Sequence, residues 1–212
     1  MGNNINVLLV DDHAVVRNGV RLMLGTADDI DVGGEAETAH DALRLVRERD
    51  FDVALVDIAL PGKSGLELLK QLRAEQPKLA VVILSMYSEE VYAVRALKHG
   101  AAGYLNKNSS AAALVMAVRK AAAGGKHVSR ALAEKLVNML GGASKMPHES
   151  LSDRELDVLK LLAAGESLVK IAERLHLSAS TVTTYRARIL QKTSMKSNVE
   201  LARYALESGL LF

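Results

Sequence analysis

A chain of 212 residues, 49% hydrophobic and 25% charged, has the composition of a globular protein and is long enough for two small domains. It contains no cysteine, which excludes disulfides, thiolate metal sites and cysteine nucleophiles. The formal net charge of +2 does not indicate a nucleic-acid partner, and neither a signal peptide nor an apolar run of membrane-spanning length is found, so we expect a cytoplasmic protein.

Apolar segments alternate with amphipathic ones over the first 122 residues. Short apolar runs predict strands at residues 5–10, 30–37, 52–58, 80–85 and 103–105. Helical spacing of apolar residues predicts helices at 14–24, 39–49, 65–75, 89–99 and 110–123. Five strand–helix units in succession predict an α/β fold, a five-stranded doubly wound parallel sheet with helices on both faces.

The alternation stops after residue 124. One further helix is predicted at 129–140, and residues 141–150 have the Gly, Ser and Pro content of a flexible linker. From residue 151 onward every predicted element is a helix, with Ser152 and Glu155 as a capping box and Ser178 or Ser180 opening the third helix. We therefore predict domains at 1–124 and 151–212, joined by a linker helix and a flexible linker over 125–150.

The charge is unevenly distributed between the two halves. Residues 1–122 contain 14 Lys and Arg against 16 Asp and Glu. The segment from Arg186 to Arg203 contains five basic residues and a single acid. Such a local basic excess is typical of a surface that contacts nucleic-acid phosphates.

Polar side chains stand where four of the predicted strands end. Asp11 and Asp12 follow the first strand, Asp57 ends the third, Ser85 ends the fourth and Lys107 follows the fifth. Because the carboxyl ends of parallel strands share one edge of the sheet, we expect these groups to converge. Three adjacent carboxylates repel one another unless a cation neutralises them, and Mg²⁺ suits oxygen ligands while leaving positions for phosphate. Each residue alone could be an ordinary loop, turn or surface group; together they predict phosphoryl transfer to Asp57.

The segments VLLVDDHAVVRNGV, DVALVDIALPGKSGLELL, VVILSMYSEE and GAAGYLNKNSS resemble the receiver domains of bacterial two-component response regulators, across residues 5–122. The resemblance implies a flavodoxin-like receiver fold in which a sensor histidine kinase phosphorylates Asp57. It also implies a Mg²⁺ site formed by Asp11, Asp12, Asp57 and the backbone carbonyl of Ala59.

Three further residues have roles that the same resemblance implies. Ser85 and Lys107 contact the phosphoryl group, and Tyr104 changes rotamer together with Ser85. One departure is Asn108, which follows Lys107 where relatives usually have an acid.

Residues 151–193 have the pattern of helices joined by short turns, including a tight turn at Leu177 and Ser178. Two short helices joined in this way are a DNA-binding geometry, in which the later helix enters the major groove. On that later helix Thr183, Thr184, Ala187 and Arg188 face away from the predicted core, and Arg186 and Lys192 flank them. An ordinary helical bundle with a solvated charged face is the alternative interpretation.

The segments LSDREL, LLAAGES, IAERLHLSASTV and YRARIL resemble the LuxR-type helix-turn-helix of NarL/FixJ regulators, across residues 151–212. The resemblance implies an all-α domain of four helices, the last at 198–208, and base-reading positions at Thr183, Thr184 and Ala187. The full set of predicted DNA contacts is Thr181, Thr183, Thr184, Tyr185, Arg186, Ala187, Arg188 and Lys192. Leu168 and Val169 depart from the polar pair usual in relatives.

Both resemblances together imply a response regulator that is not an enzyme, is phosphorylated on Asp57 and regulates transcription as a DNA-binding homodimer without a membrane partner. A first alternative is a hydrolase that forms an aspartyl-phosphate, but such enzymes commonly carry a second acid where this chain has Ala59. A second alternative is a phosphorylation-independent DNA-binding regulator whose receiver serves for dimerisation, against which the complete acidic set argues.

Overall fold

The computed structural model describes residues 4–86, 89–140 and 146–211. The chain forms two compact units, Met1–Glu134 and Lys135–Phe212. Among the described helices, none combines the length and the apolar character that crossing a membrane requires.

The first unit is a parallel sheet of five strands in the order β2-β1-β3-β4-β5. The strands are β1 (Ile5–Val10), β2 (Ile30–Ala36), β3 (Val53–Asp57), β4 (Ala80–Ser85) and β5 (Gly103–Asn106). The helices between and after them are α1 (Ala14–Leu24), α2 (Ala39–Glu48), α3 (Gly65–Glu75), α4 (Glu89–Lys98) and α5 (Ala111–Ala122). The predicted α/β fold is confirmed, with differences of one residue at several element ends.

The central strands of this sheet are buried along almost their whole length. All five residues of β3 are buried, as are five of the six in β4, because helices cover both faces. Side-chain caps fix where the helices begin: Ser64 and Glu67 form a capping box at α3, and Thr38 and Ser110 cap α2 and α5. The parallel pairing of β1 with β3 fixes the register in which their carboxyl ends reach the sheet edge.

The remaining elements are helical. They are α6 (Arg130–Leu140), a 3-10 helix (Pro147–Ser150), α7 (Asp153–Ala163), α8 (Leu168–Leu175), α9 (Ala179–Thr193) and α10 (Asn198–Glu207). Each of α7, α8 and α9 contributes fully buried apolar side chains to the core, among them Leu156, Ile171 and Val182. The four predicted helices of the C-terminal half, α7 to α10, are confirmed.

The predicted flexible linker at 141–150 is only partly what the structure contains. Residues 141–145 lie outside the described residues, but Pro147–Ser150 is a 3-10 helix in which His148 is buried. Its Nδ1 lies 2.7 Å from the hydroxyl of Tyr204 on α10. The composition of this segment predicted a loop. It could not predict the 3-10 helix, because the contact that orders the segment joins residues that are far apart in sequence.

The turn between α8 and α9 ends one helix and starts the next within three residues. His176 closes α8 in the left-handed conformation, with a φ of 52°. Ser178 then caps α9 by accepting a hydrogen bond of 3.1 Å from the backbone N–H of Thr181. Of the two serines that the sequence allowed, Ser178 opens the helix, and Ser152 and Glu155 form the predicted capping box at α7.

Candidate functional site

The carboxyl edge of the sheet brings Asp11, Asp57 and Lys107 into direct contact. Asp57 ends β3 and is 2% exposed, and Asp11, directly after β1, is 4% exposed. Nζ of Lys107 lies 2.6 Å from Oδ2 of Asp11 and 2.9 Å from Oδ2 of Asp57. One ammonium group therefore bridges two buried carboxylates that come from different strands.

Burial and neighbouring charges shift the pKa values of Asp57 and Lys107. Burial raises the pKa of Asp57 and the charge of Asp11 adds to that rise, while Lys107 and the N–H of Ala59 partly offset it. Burial alone would lower the pKa of Lys107, but its hydrogen bond to Asp11 and the charge of Asp57 outweigh burial and raise it. Lys107 is therefore held in its charged form beside a carboxylate that is costly to ionise.

Asp12 adds a third carboxylate at the mouth of the site. Its Oδ1 is buried and has no hydrogen-bond partner among the described residues. Nδ1 of His13 lies 2.7 Å away without the alignment of a hydrogen bond. Ligand atoms of Asp11, Asp12, His13 and Asp57 all lie within 4.8 Å of one another. The three carboxylates of this cluster supply hard oxygen donors, one of them without a hydrogen bond, and these fit a hard divalent cation.

Ser85 and Tyr104 lie on the two neighbouring strands. Ser85 ends β4 with its side chain fully buried, and Tyr104 on β5 is 2% exposed. The backbone carbonyl of Ser85 accepts a hydrogen bond of 2.9 Å from the N–H of Lys107. The end of β4 thus fixes the backbone from which Lys107 reaches across to Asp57.

Gly65 is a requirement of the site that the sequence interpretation missed. A Cβ built on Gly65 would overlap the carbonyl oxygen of Asp57 and would lie 2.8 Å from Cα of Ile58. The N–H of Gly65 donates to the carbonyl of Ile58 at 2.9 Å. Only glycine allows α3 to begin this close to the end of β3. The one available signal was the glycine three residues after the Pro61-Gly62 turn.

The exposed face of α9 contains most of the predicted DNA contacts. Thr183, Thr184, Ala187 and Arg188 are exposed, whereas Thr181 and Tyr185 are half-buried. An open depression of about 310 Å³ on this helix is lined by Ser180, Thr181, Thr184, Tyr185 and Arg188. The hydroxyls of Thr183 and Thr184 donate to helix carbonyls at 2.9 and 3.0 Å, so they present acceptor lone pairs and methyl groups outward.

Two of the predicted phosphate-binding cations have partners within the domain. Nε of Arg186 donates to Oδ1 of Asn198 at 2.7 Å, and Nζ of Lys192 donates to Oε2 of Glu155 at 2.7 Å. Arg188 is exposed and forms no ion pair with any other described residue. Arg186 and Lys192 therefore fix α9 against its neighbours, and Arg188 is the basic side chain that α9 presents to solvent without such a contact.

Glu155 is the acid at the centre of that packing. Burial opposes its ionisation, but the hydrogen bonds from Lys192 and Ser152 prevail and lower its pKa. Nearby on α7, burial lowers the pKa of Lys160 to about 7, although the charge of Asp157 partly offsets this. The domain thus contains two buried ionisable groups whose pKa values differ from those in the unfolded chain.

A bridged aspartate pair at the carboxyl edge of a parallel sheet, followed by a helix-turn-helix unit, defines a receiver joined to a helix-turn-helix domain. Residues 7–119 match the response regulator receiver domain, and residues 149–205 match the bacterial regulatory proteins of the luxR family. The chain belongs to the NarL/FixJ family of two-component response regulators. Members of this family are transcription regulators.

Relatives match this chain along its whole length. The response regulator GacA of Pseudomonas aeruginosa is 37% identical over 209 residues, with 98% of both chains covered. The response regulator UvrY of Escherichia coli is 34% identical over 208 residues, with 97% of this chain and 95% of UvrY covered. RcsB from Salmonella enterica serovar Typhimurium, solved on the rprA promoter with a beryllofluoride phosphomimetic, matches with 27% identity and a TM-score of 0.71, covering 95% of this chain and 98% of that one.

Proposed function

We propose that Asp57 accepts a phosphoryl group from a sensor histidine kinase and that phosphorylation controls DNA binding by α9. The observation that carries the proposal is the bridge from Lys107 to the carboxylates of Asp11 and Asp57, at 2.6 and 2.9 Å. It supports the proposal because a carboxylate oxygen of Asp57 and the ammonium of Lys107 lie 2.9 Å apart in a site of low exposure. We further propose that residues 1–124 and 151–212 act as the two functional domains.

The chemistry follows from the groups at the sheet edge. An oxygen of Asp57 forms a bond to phosphorus while the bond from phosphorus to the kinase histidine breaks, and the imidazole nitrogen keeps that electron pair. Asp11, Asp12, Asp57 and the carbonyl of Ala59 would hold Mg²⁺, which supplies charge neutralisation of the transferring phosphoryl oxygens. The ammonium of Lys107 gives up its contact with the Asp57 carboxylate and donates to the phosphoryl oxygens instead. The hydroxyl of Ser85 donates a further hydrogen bond to the phosphoryl group.

Tyr104 and Ser85 connect the phosphoryl group to the rest of the receiver. In this proposal Ser85 moves toward the phosphoryl oxygens and Tyr104 changes rotamer into the space that opens behind it. The change alters the face formed by α4 and β5, which then favours a homodimer on paired DNA half-sites. In the related RcsB structure the bound ligands are a promoter and a phosphomimetic, which supports the same pairing of functions here.

The DNA contacts of α9 divide into two classes. Thr183, Thr184 and Ala187 present methyl groups and hydroxyl lone pairs that meet base edges, while Arg188 neutralises phosphate. Thr181 and Tyr185 line the open depression on α9 together with Thr184 and Arg188, and we propose that they contact the sugar-phosphate backbone of DNA. Arg186 and Lys192, which have partners within the domain, attract the DNA phosphates through the electrostatic potential of the domain and not by direct contact.

The test is labelling of the full chain with acetyl phosphate, read on a phosphate-affinity gel, followed by binding to fragments selected by genomic footprinting. Asp57→Asn should abolish labelling and phosphate-stimulated binding. The exposed Asp50→Asn, with the same loss of charge, should keep both. Labelling of Asp57→Asn at the wild-type level would exclude the proposed acceptor.

A titration with beryllofluoride and Mg²⁺ addresses the alternative of a phosphorylation-independent regulator. Under the proposal, the two additives together should strengthen DNA binding, and Mg²⁺ alone should not. Binding that stays constant throughout the titration, with unchanged labelling of Asp57, would favour a receiver used only for dimerisation.

A further inference from the structure

Arg17 on α1 is a buried cation with contacts that extend to the acidic site. Its side chain is 9% exposed, although it belongs to a helix at the protein surface. Nη1 donates to the backbone carbonyl of Asp11 at 2.6 Å. Nε and Nη2 donate to Oε2 of Glu35 at 3.2 Å and to Oε1 of Glu37 at 2.6 Å. The guanidinium group therefore connects Asp11, directly after β1, with Glu35 near the end of β2 and with Glu37 directly after β2.

Burial of an arginine is costly unless its donors and its charge are satisfied. Here two glutamates satisfy the charge, so the third hydrogen bond, to the carbonyl of Asp11, is made by a side chain that is already held in place. The planar fork of arginine fixes the direction of all three bonds at once, which a lysine cannot do.

The carbonyl that Arg17 holds belongs to the peptide bond between Asp11 and Asp12. The carboxylate of Asp11 has its own bonds, to Lys107 and to the backbone N–H of His13 at 2.9 Å. Oδ1 of Asp12 has no hydrogen bond among the described residues. Apart from Nδ1 of the exposed His13, 2.7 Å from that oxygen, the Asp12 carboxylate is positioned through its backbone, and Arg17 is the side chain that holds the Asp11–Asp12 peptide.

We infer that Arg17, supported by Glu35 and Glu37, is a positioning residue that orients the Asp11–Asp12 peptide for cation binding. This inference rests on the proposed function, in which the site binds Mg²⁺. Arg17 touches neither the cation nor the phosphoryl group. Its effect is on the affinity of the site for Mg²⁺, and the rate of phosphoryl transfer at saturating Mg²⁺ should not depend on it.

The experiment measures Mg²⁺ binding to the full chain by isothermal titration calorimetry. Arg17→Met should raise the Kd for Mg²⁺ about tenfold, the lower end of what loss of an outer contact to a metal ligand costs. Arg17→Lys should raise it by less. Arg21→Met is the matched control, since Arg21 is on the same helix, contacts Glu35 at 3.7 Å and does not reach Asp11.

Acetyl phosphate labelling over a range of Mg²⁺ concentrations is the second measurement. For Arg17→Met the Mg²⁺ concentration at half-maximal rate should rise about tenfold, and the maximal rate should stay near that of the wild type. A purely structural role would leave part of the variant unfolded without Mg²⁺, and because Mg²⁺ binds only the folded state, the half-saturating concentration would rise in inverse proportion to the folded fraction. Circular dichroism of the metal-free variant measures that fraction, and a positioning role requires the tenfold rise with a folded fraction near that of the wild type. A rise that the lost folded fraction accounts for, or an unchanged Kd, would overturn the inference.

The failure of the proposed function gives a different result. If the wild-type chain neither binds Mg²⁺ nor becomes labelled, the proposed function is wrong; if it does both and Arg17→Met binds Mg²⁺ equally well, only the positioning role is wrong. Should Arg17→Met fail to fold by circular dichroism, Glu37→Gln replaces it, because that side chain is 66% exposed and its loss leaves Arg17 paired with Glu35. Glu37→Gln should raise the Kd in the same direction, and an unchanged value would again overturn the inference.

Discussion

Replacing Lys107 by methionine tests how much of the stability of the receiver depends on one counter-charge. The side chain of Lys107 is 9% exposed and bridges the carboxylates of Asp11 and Asp57 at 2.6 and 2.9 Å. Removing one partner of such a buried pair costs about 3–5 kcal/mol because the other charge stays buried without compensation. We expect about 3 kcal/mol at pH 7, since Asp57 can take up a proton and so limit the loss.

The pH dependence of this variant has a definite sign. Burial already raises the pKa of Asp57 in the folded protein, and Lys107 counteracts that rise. Without Lys107 the folded pKa of Asp57 lies still further above its unfolded value, so the folded state binds the proton more tightly than the unfolded state does. Lys107→Met should therefore gain stability relative to the wild type as the pH falls, and its deficit should be larger at pH 8 than at pH 5.

The assay is amide hydrogen exchange of peptides covering β1 and β3, which reports on the first unit independently of the second. It is run with EDTA and again with excess Mg²⁺, which should restore most of the lost protection by supplying the missing positive charge. Lys78→Met is the control, because Lys78 is exposed and loses the same charge. Equal protection of the two variants in EDTA, or a deficit that Mg²⁺ does not reduce, would refute this reasoning.

Three further changes address the C-terminal unit. Glu155→Gln removes the ion pair with Lys192 and should cost about 1–3 kcal/mol in urea unfolding. Glu200→Gln should cost less, because the Glu200 carboxylate is more exposed and, among the described residues, accepts only from the backbone N–H of Lys196. Because the pKa of Glu155 is lowered in the fold, its contribution is complete above the unfolded pKa and is lost as the pH falls through the folded pKa. Lys160 has a pKa of about 7 against 10.5 unfolded, so wild-type stability should rise between these pH values, and that rise should be absent in Lys160→Met. Arg188→Ala should weaken binding to all DNA sequences and reduce the salt slope in a mobility-shift titration by about one.

The arrangement at the sheet edge was predictable because it follows from the order of the elements. Parallel strands place their carboxyl ends together, so Asp11, Asp57 and Lys107 had to approach one another once five strand–helix units were recognised. The three side chains are closer together than a shared sheet edge requires, because the ammonium of Lys107 directly contacts both carboxylates. The strand pattern predicts the edge of the sheet on which a residue lies. It does not predict the side-chain rotamers that complete the contact, because these depend on packing.

Residues whose partners are distant in sequence could not be predicted in this way. Gly65 is needed because α3 starts against the carbonyl of Asp57, whereas the sequence shows only a glycine at the first position of a predicted helix. His148 lies in a segment of loop composition, yet its contact with Tyr204 joins residues 56 positions apart. Lys192 has the pattern of a solvated phosphate contact, and only the fold reveals that Glu155 accepts its hydrogen bond.

Charge balance indicates that phosphorylation, unlike cation binding, leaves a negative charge at this site that other groups must meet. The carboxylates of Asp11, Asp12 and Asp57 with the ammonium of Lys107 leave about two negative charges, which a single divalent cation neutralises. Converting the carboxylate of Asp57 to an acyl phosphate dianion adds about one negative charge and removes the acceptor that Lys107 holds. In the proposed mechanism the ammonium of Lys107 and the hydroxyl of Ser85 meet that charge, and because Ser85 is fully buried, its movement must displace a packed neighbour. Under that proposal a local change of charge becomes a change in packing at β4 and β5.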